Sequence, residues 1–238
     1  MLYKSLLLLH ISSACAGLAA GFMAMIFRKG SGLHGAAGTI FSVAMLAMGG
    51  AGAFIAGFLR PNVGNVMGGL FLIYLVSTAW IAAKRKDWKI GVIDFASLAF
   101  ALGIASAHST FGLQAVVSRS GLKDGYPPPL YFIFASIALL FAVSDFRLIM
   151  RGGVSGTQRI VRHLWRMSLA LLFATASFYP GQARLFPKWL RATNLLYIPH
   201  VLLIGAMFFF LYRFSARKRV QQQTYRISGN AQAQGATV

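Results

Sequence analysis

Seven long apolar stretches alternate with short polar ones along the chain, at residues 5–27, 36–59, 65–83, 90–117, 128–146, 160–179 and 191–212. Each is about the 20 residues that a helix needs to cross a hydrocarbon core ~30 Å thick. The stretches are too long for strands of an outer-membrane barrel and lack the period-2 alternation such strands carry. Helices satisfy every backbone group within the segment, as lipid requires. The pattern therefore predicts an all-α polytopic membrane bundle, with seven transmembrane helices in one domain over residues 1–214. From residue 215 to 238 the apolar runs stop and the chain turns basic, then rich in Gln, Ala and Gly, which predicts a disordered tail. There is no internal repeat and no second domain.

Composition agrees with that class. The chain is 57% hydrophobic and 11% charged, against about 25% charged residues in soluble domains, so lipid is its main solvent. Its 23 Lys and Arg against 4 Asp and Glu give a net charge of +19. These cations are dispersed over many loops with no recognisable module, which argues against nucleic acid as a partner. Sorted by loop, seven lie on one side of the predicted membrane and sixteen on the other. Lys and Arg collect in cytoplasmic loops, so the N-terminus is expected outside and the C-terminus in the cytoplasm of a bacterial inner membrane. The basic side is expected to meet anionic lipid headgroups. Trp80, Trp88, Trp165 and Trp189 fall near predicted span ends, as an interfacial belt would place them.

The first stretch has a competing reading. Lys4, a leucine run and Ala14-Cys15-Ala16 resemble a signal peptide with a small-residue cleavage site. The apolar run continues to Phe27, too far for a typical signal core, and favours a span. Cys15 is the only cysteine, so intrachain disulfides, CxxC redox pairs and CxxCH haem attachment are excluded. The sequence also lacks a GxxxxGK[ST] phosphate loop, a GxSxG elbow and an HExxH zinc helix. A retinal protein would need a lysine inside its last span, and residues 191–212 contain none.

The candidate chemistry lies in polar residues inside the spans, where ionisable groups are costly and point to function. The five histidines sort into two layers at 1.5 Å per residue. His10, His108 and His200 fall toward the outer side, and His34 and His163 at the cytoplasmic ends of the second and sixth spans. Helical phase turns all five inward: His10 shares a face with Ala14, Gly17 and Gly21, and His34 heads Gly38, Phe41 and Met45. His108 continues the stripe of Asp94, Ser97, Ala101 and Ala105, and His163 heads Met167, Ala170 and Ala174. Asp94 and Asp145 are the intramembrane acids.

The stretch KGSGLHGAAGTIFSVAM, with His10 in the preceding helix, resembles the KGxxLHxxxGxxF motif of a family of bacterial multi-pass predicted membrane proteins of unknown function. RIVRHLWRM, beginning at Arg159, is similar to the RHLWRM helix of the same group. The resemblance covers most of the chain through the last span and implies no activity, since the family has none established. Members often carry Arg directly after the loop histidine, where this chain has Gly35. In layout, rather than in motif, the two histidine layers resemble diheme transmembrane cytochromes b.

From these residues the leading expectation is a b-type haem or quinol-linked electron-transfer protein, with quinone as a possible partner. Any two of His10, His108 and His200 would hold an outer iron. His34 and His163 would hold an inner one, with Met167 as an alternative ligand. Across one iron the two imidazole nitrogens lie about 4 Å apart, with bonds of about 2 Å, so His34 must come beside His163, with a gap lined by Phe41, Met45 and Ala170. Three outer imidazoles could instead hold zinc or copper. The alternatives are a small transporter or sensor, with Asp94 and Asp145 as proton or cation sites partnered by Arg147, Arg162 and Arg166, and a structural or assembly protein without cofactor.

Overall fold

The computed structural model describes residues 1–85, 89–154 and 156–214, and these are helical almost throughout. In chain order the long helices are α1 (Leu2–Ile26), α2 (Gly32–Phe54), α3 (Val63–Lys84), α4 (Val92–Val117), α5 (Pro128–Met150) and α6 (Gly156–Phe178). A 3-10 turn (Ala183–Leu185) and a short helix (Lys188–Arg191) lead into a final helical span, Asn194–Phe214. Trp88 and the tail at 215–238 lie outside the described residues.

Local chemistry explains the boundaries. The Ser31 hydroxyl accepts the His34 N–H (3.2 Å) and caps α2, while the Asn62 amide oxygen accepts the Asn65 N–H (2.8 Å) and caps α3. Pro128 opens α5, where its missing N–H costs nothing. Between α4 and α5 the chain reverses at Lys123-Asp124-Gly125-Tyr126. Asp124 and Gly125 both have positive φ (50° and 82°), as a type I′ turn demands. Lys123 and Tyr126 exchange backbone hydrogen bonds of 3.0 and 2.9 Å across it. The Asp124 carboxylate then accepts the Val63 N–H at 2.9 Å, so the α4–α5 turn closes the start of α3. Phe54 does not end its helix, which continues as one π-helical turn over Ile55–Leu59.

Among the described residues six helices are long and apolar enough to cross a membrane: α1, α2 with its π turn, α3, α4, α5 and the final span. The sixth apolar stretch of the sequence, α6, has 23 residues but does not share their apolar character, because Arg159, Arg162, His163 and Arg166 occupy its first half. Its position accounts for this. From Val161 to Ala176 no α6 side chain is exposed, and α3 is enclosed in the same way from Val66 to Ala82. The two pack together as the central pair, with α1 and α2 on one side and the α4–α5 hairpin on the other. Phe71 of α3 joins the layers, meeting Phe134, Phe141 and Phe173 edge-on. Outward-facing positions such as Leu8, Ile133, Leu140, Val201 and Phe208 are apolar, as a surface solvated by lipid requires.

Glycines bring the backbones together where helices cross. A Cβ on Gly69 would sit 2.7 Å from the Gly49 carbonyl oxygen, so α2 and α3 touch main chain to main chain there. Gly17 and Gly21 admit Met45, Phe41 and Leu171 against α1, the close approach expected of a small-xxx-small pair.

Two expectations need correction. Trp165 is not part of an interfacial belt: it stacks on Phe141 inside the bundle, centroids 4.3 Å apart and planes 4° from parallel. Arg162 and Arg166 are not loop cations but buried α6 side chains. Removing them from the basic side leaves fourteen against seven, so the charge asymmetry keeps its direction.

Candidate functional site

The helices α1, α2, α3 and α6 form a ring: α1 packs on α2, α2 on α3, α3 on α6, and α6 returns to α1. This order sets α2 and α6 across the diagonal, with the N-terminal ends of both at the same end of the ring. His34, in the first turn of α2, directs its Nδ1 to the Ala24 carbonyl of α1 at 2.9 Å. His163, in the second turn of α6, directs its Nδ1 to the Ala79 carbonyl of α3 at 3.0 Å. The two imidazoles lie within electrostatic reach of each other and of Arg159 and Lys29. A carbonyl only accepts, so in both rings Nδ1 carries the proton and, in the neutral ring, Nε2 is left with a lone pair. Ligating histidines are held by the same kind of second contact.

Lys29, in the loop joining α1 to α2, closes this end of the ring. Its ammonium donates to the Ala24 and Met25 carbonyls (2.8 and 2.7 Å) and lies 4.6 Å from the centre of the Phe210 ring in the final span. Burial holds its pKa below the ordinary lysine value. Arg159 donates to the Ala83 carbonyl at 2.7 Å and ties α6 to the end of α3. Phe41, Met45 and Ala170, expected along a gap, belong to the buried core about two to three turns further in.

The outer histidines are dispersed. His10 of α1 directs Nδ1 to the Met48 carbonyl of α2 at 2.9 Å, and Gly52 makes room for its ring. His108 is 3% exposed, bonds its own-helix Ile104 carbonyl at 3.0 Å and packs against Tyr131 and Phe134 of α5. It therefore sits in the α4–α5 hairpin, outside the ring. His200 lies between Tyr179 and Tyr197, and both its ring nitrogens are buried without a hydrogen-bond partner. Among the described residues no three His, Cys, Asp or Glu side chains gather as a metal ion would need. Tyr179 stands 16 residues beyond His163, and His10 lies 16 before Ile26. At 1.5 Å per residue the two layers are about 24 Å apart.

The acids separate into two roles. Asp94, 5% exposed, accepts the Gly91 N–H at 2.9 Å and an Arg85 guanidinium N–H at 3.2 Å. It fixes the first turn of α4. Asp145, 1% exposed, is the centre of a different cluster. Its Oδ1 accepts from Nη2 of both Arg162 and Arg166, the latter at 2.5 Å, and its Oδ2 accepts the Tyr74 hydroxyl at 2.5 Å. Arg162 also donates to the Ser144 hydroxyl at 3.2 Å. The Arg166 guanidinium carbon lies 4.8 Å from the ring centre of Phe141, 5.2 Å from Tyr74 and 5.7 Å from Trp165. Of the arginines expected beside Asp145, Arg162 and Arg166 take part, whereas Arg147 is exposed. Tyr74 is the participant that sequence reasoning missed. A tyrosine within an apolar run carries no sign that a carboxylate 71 residues later will meet it.

Comparison of the chain with protein-family models, with curated proteins and with solved structures gave no match.

Proposed function

We propose that this protein is a seven-span inner-membrane haem protein that moves electrons, with its N-terminus outside and its C-terminus in the cytoplasm. The observation that carries the reading is the His34–His163 pair. The two imidazoles come from diagonal helices of one four-helix ring, lie within electrostatic reach, and each holds Nδ1 on a neighbouring carbonyl so that Nε2 remains for a metal. The donor set, two imidazoles whose Nε2 atoms are left for a metal, suits a haem b, which would need no third protein ligand. At the other layer His200, with both ring nitrogens buried and unpartnered, and His10 are the outer candidates. A haem at each level would supply one-electron redox chemistry. The histidines would hold it, and the apolar core around Phe41, Met45 and Leu171 between the levels would exclude water. Quinone is the electron-carrying partner suited to such a membrane site.

Absorption spectroscopy tests this. Purified full-length protein titrated with haem should bind it saturably and shift its Soret band on reduction with dithionite. His34→Ala and His163→Ala should each remove one equivalent, and His108→Ala, outside the ring, should remove none. A wild-type protein that binds no haem, or an inner-pair variant that binds as much as wild type, contradicts the reading.

A further inference from the structure

Arg166 is fully buried at 0% exposure, yet among the described residues Asp145 is the one carboxylate it meets, and it shares that oxygen with Arg162. Its Nη2 is engaged, while its Nε and Nη1 are buried with no acceptor among the described residues. The faces of Phe141, Tyr74 and Trp165 stabilise the positive charge, but ring faces are weak acceptors for N–H groups. A buried guanidinium with unpaired donors is costly in any protein and more so within a bilayer. Asp145, Arg162 and Arg166 together carry one positive charge.

We propose that Arg166 forms a binding site for one small monovalent anion, a halide or a monocarboxylate, between α3, α5 and α6. This reverses the expectation that Asp145 takes a proton or a cation. Both Asp145 oxygens already accept from strong donors, and its two guanidinium partners repel any further positive charge. A single negative charge neutralises the cluster, whereas a dianion would overshoot it. Lipid phosphate is out of reach, since Arg166 lies ten residues into α6, about 15 Å along the axis from Gly156. The orphan Ser168 hydroxyl belongs elsewhere: two residues on, it leaves α6 on the opposite face.

Trp165, with its ring centre 5.7 Å from the Arg166 guanidinium, reports on the site. Full-length protein carrying Trp80→Phe, Trp88→Phe and Trp189→Phe, in phosphatidylcholine nanodiscs, is titrated with chloride or with acetate against gluconate at fixed ionic strength. The expected result is a saturable change in Trp165 emission with at least one of the two anions. Arg166→Lys keeps the charge but loses Nε and the fork, and should raise the midpoint at least about tenfold. Ser168→Ala should leave it unchanged. A response to chloride alone identifies a halide site, and a response to acetate alone a carboxylate site. No response, an unsaturating linear loss of emission, or an unchanged midpoint in Arg166→Lys overturns the proposal. If Arg166→Lys does not fold, equilibrium dialysis of the wild-type chain with labelled chloride and labelled acetate decides. One anion bound per chain supports the site, and none overturns it.

Discussion

Asp145 shows how much can depend on one side chain inside a membrane. It holds two guanidiniums and a phenol, and without it Arg166 keeps its charge in a buried place and loses the carboxylate that faces it. Removing one partner of a buried ion pair costs about 3–5 kcal/mol. Asp145→Ala should therefore greatly lower the thermal stability of the purified protein. Tyr74→Phe removes a single hydrogen bond to a charged acceptor, worth about 1.5–3 kcal/mol, and should lower it less. Thermal unfolding of the two variants in the same detergent checks the order, and the reverse order would mean that the phenol, and not the carboxylate, organises the cluster. Asp94 belongs to a milder class, because its carboxylate closes a helix start beside Arg85 at the edge of the bundle.

At the scale of helices, the contacts that fix the bundle are made by residues with little or no side chain. Gly69 faces the Gly49 carbonyl, which is backbone and cannot turn aside. Gly69→Ala should therefore push α2 and α3 apart and lower stability by about 1–3 kcal/mol. Gly38→Ala, at a position of the same helix pair with nothing near its Cβ, should be neutral or slightly stabilising. Unfolding of both variants tests this, and an equal loss would show that the crossing is not the cause. The Asp124 carboxylate acts at the same scale by holding the α4–α5 turn on the first N–H of α3. Asp124→Ala should cost about 1 kcal/mol, as the loss of a helix cap does. Faster hydrogen exchange at the start of α3, with the core of α3 unchanged, is the expected sign.

At the scale of the whole molecule the structure is a central pair, α3 and α6, enclosed by helices that are more apolar than α6 is. Apolar composition matches the outer helices because lipid is their solvent. α6 departs from that composition because protein is its solvent, and its arginines meet Asp145, Ser144 and the α3 carbonyls instead of acyl chains. The seven-span reading thus requires α6 to cross among the others. With Arg162 and Arg166 set aside, loop charge still favours the C-terminal side as cytoplasmic. A reporter active only in the cytoplasm should work when fused after Val238, and a reporter active only outside the membrane should be silent there. The opposite result would require an even number of crossings or the reverse orientation of the seven.

The helical membrane class was legible from sequence because it rests on run length and charge, which are local or additive properties. The inward phase of Gly17, Gly21 and His10 followed from the 3.6-residue period for the same reason, and Asp94 and His108 are buried as their shared stripe implied. Which inward faces meet was a different matter, since one stripe can face any neighbour. Tertiary structure alone brought His34 within electrostatic range of His163, kept His108 in a separate hairpin and placed Tyr74 on Asp145. It also turned two apparent loop arginines into the most deeply buried cations among the described residues. Sequence determines what each helix must hide, and only the packing of helices decides what it is hidden against.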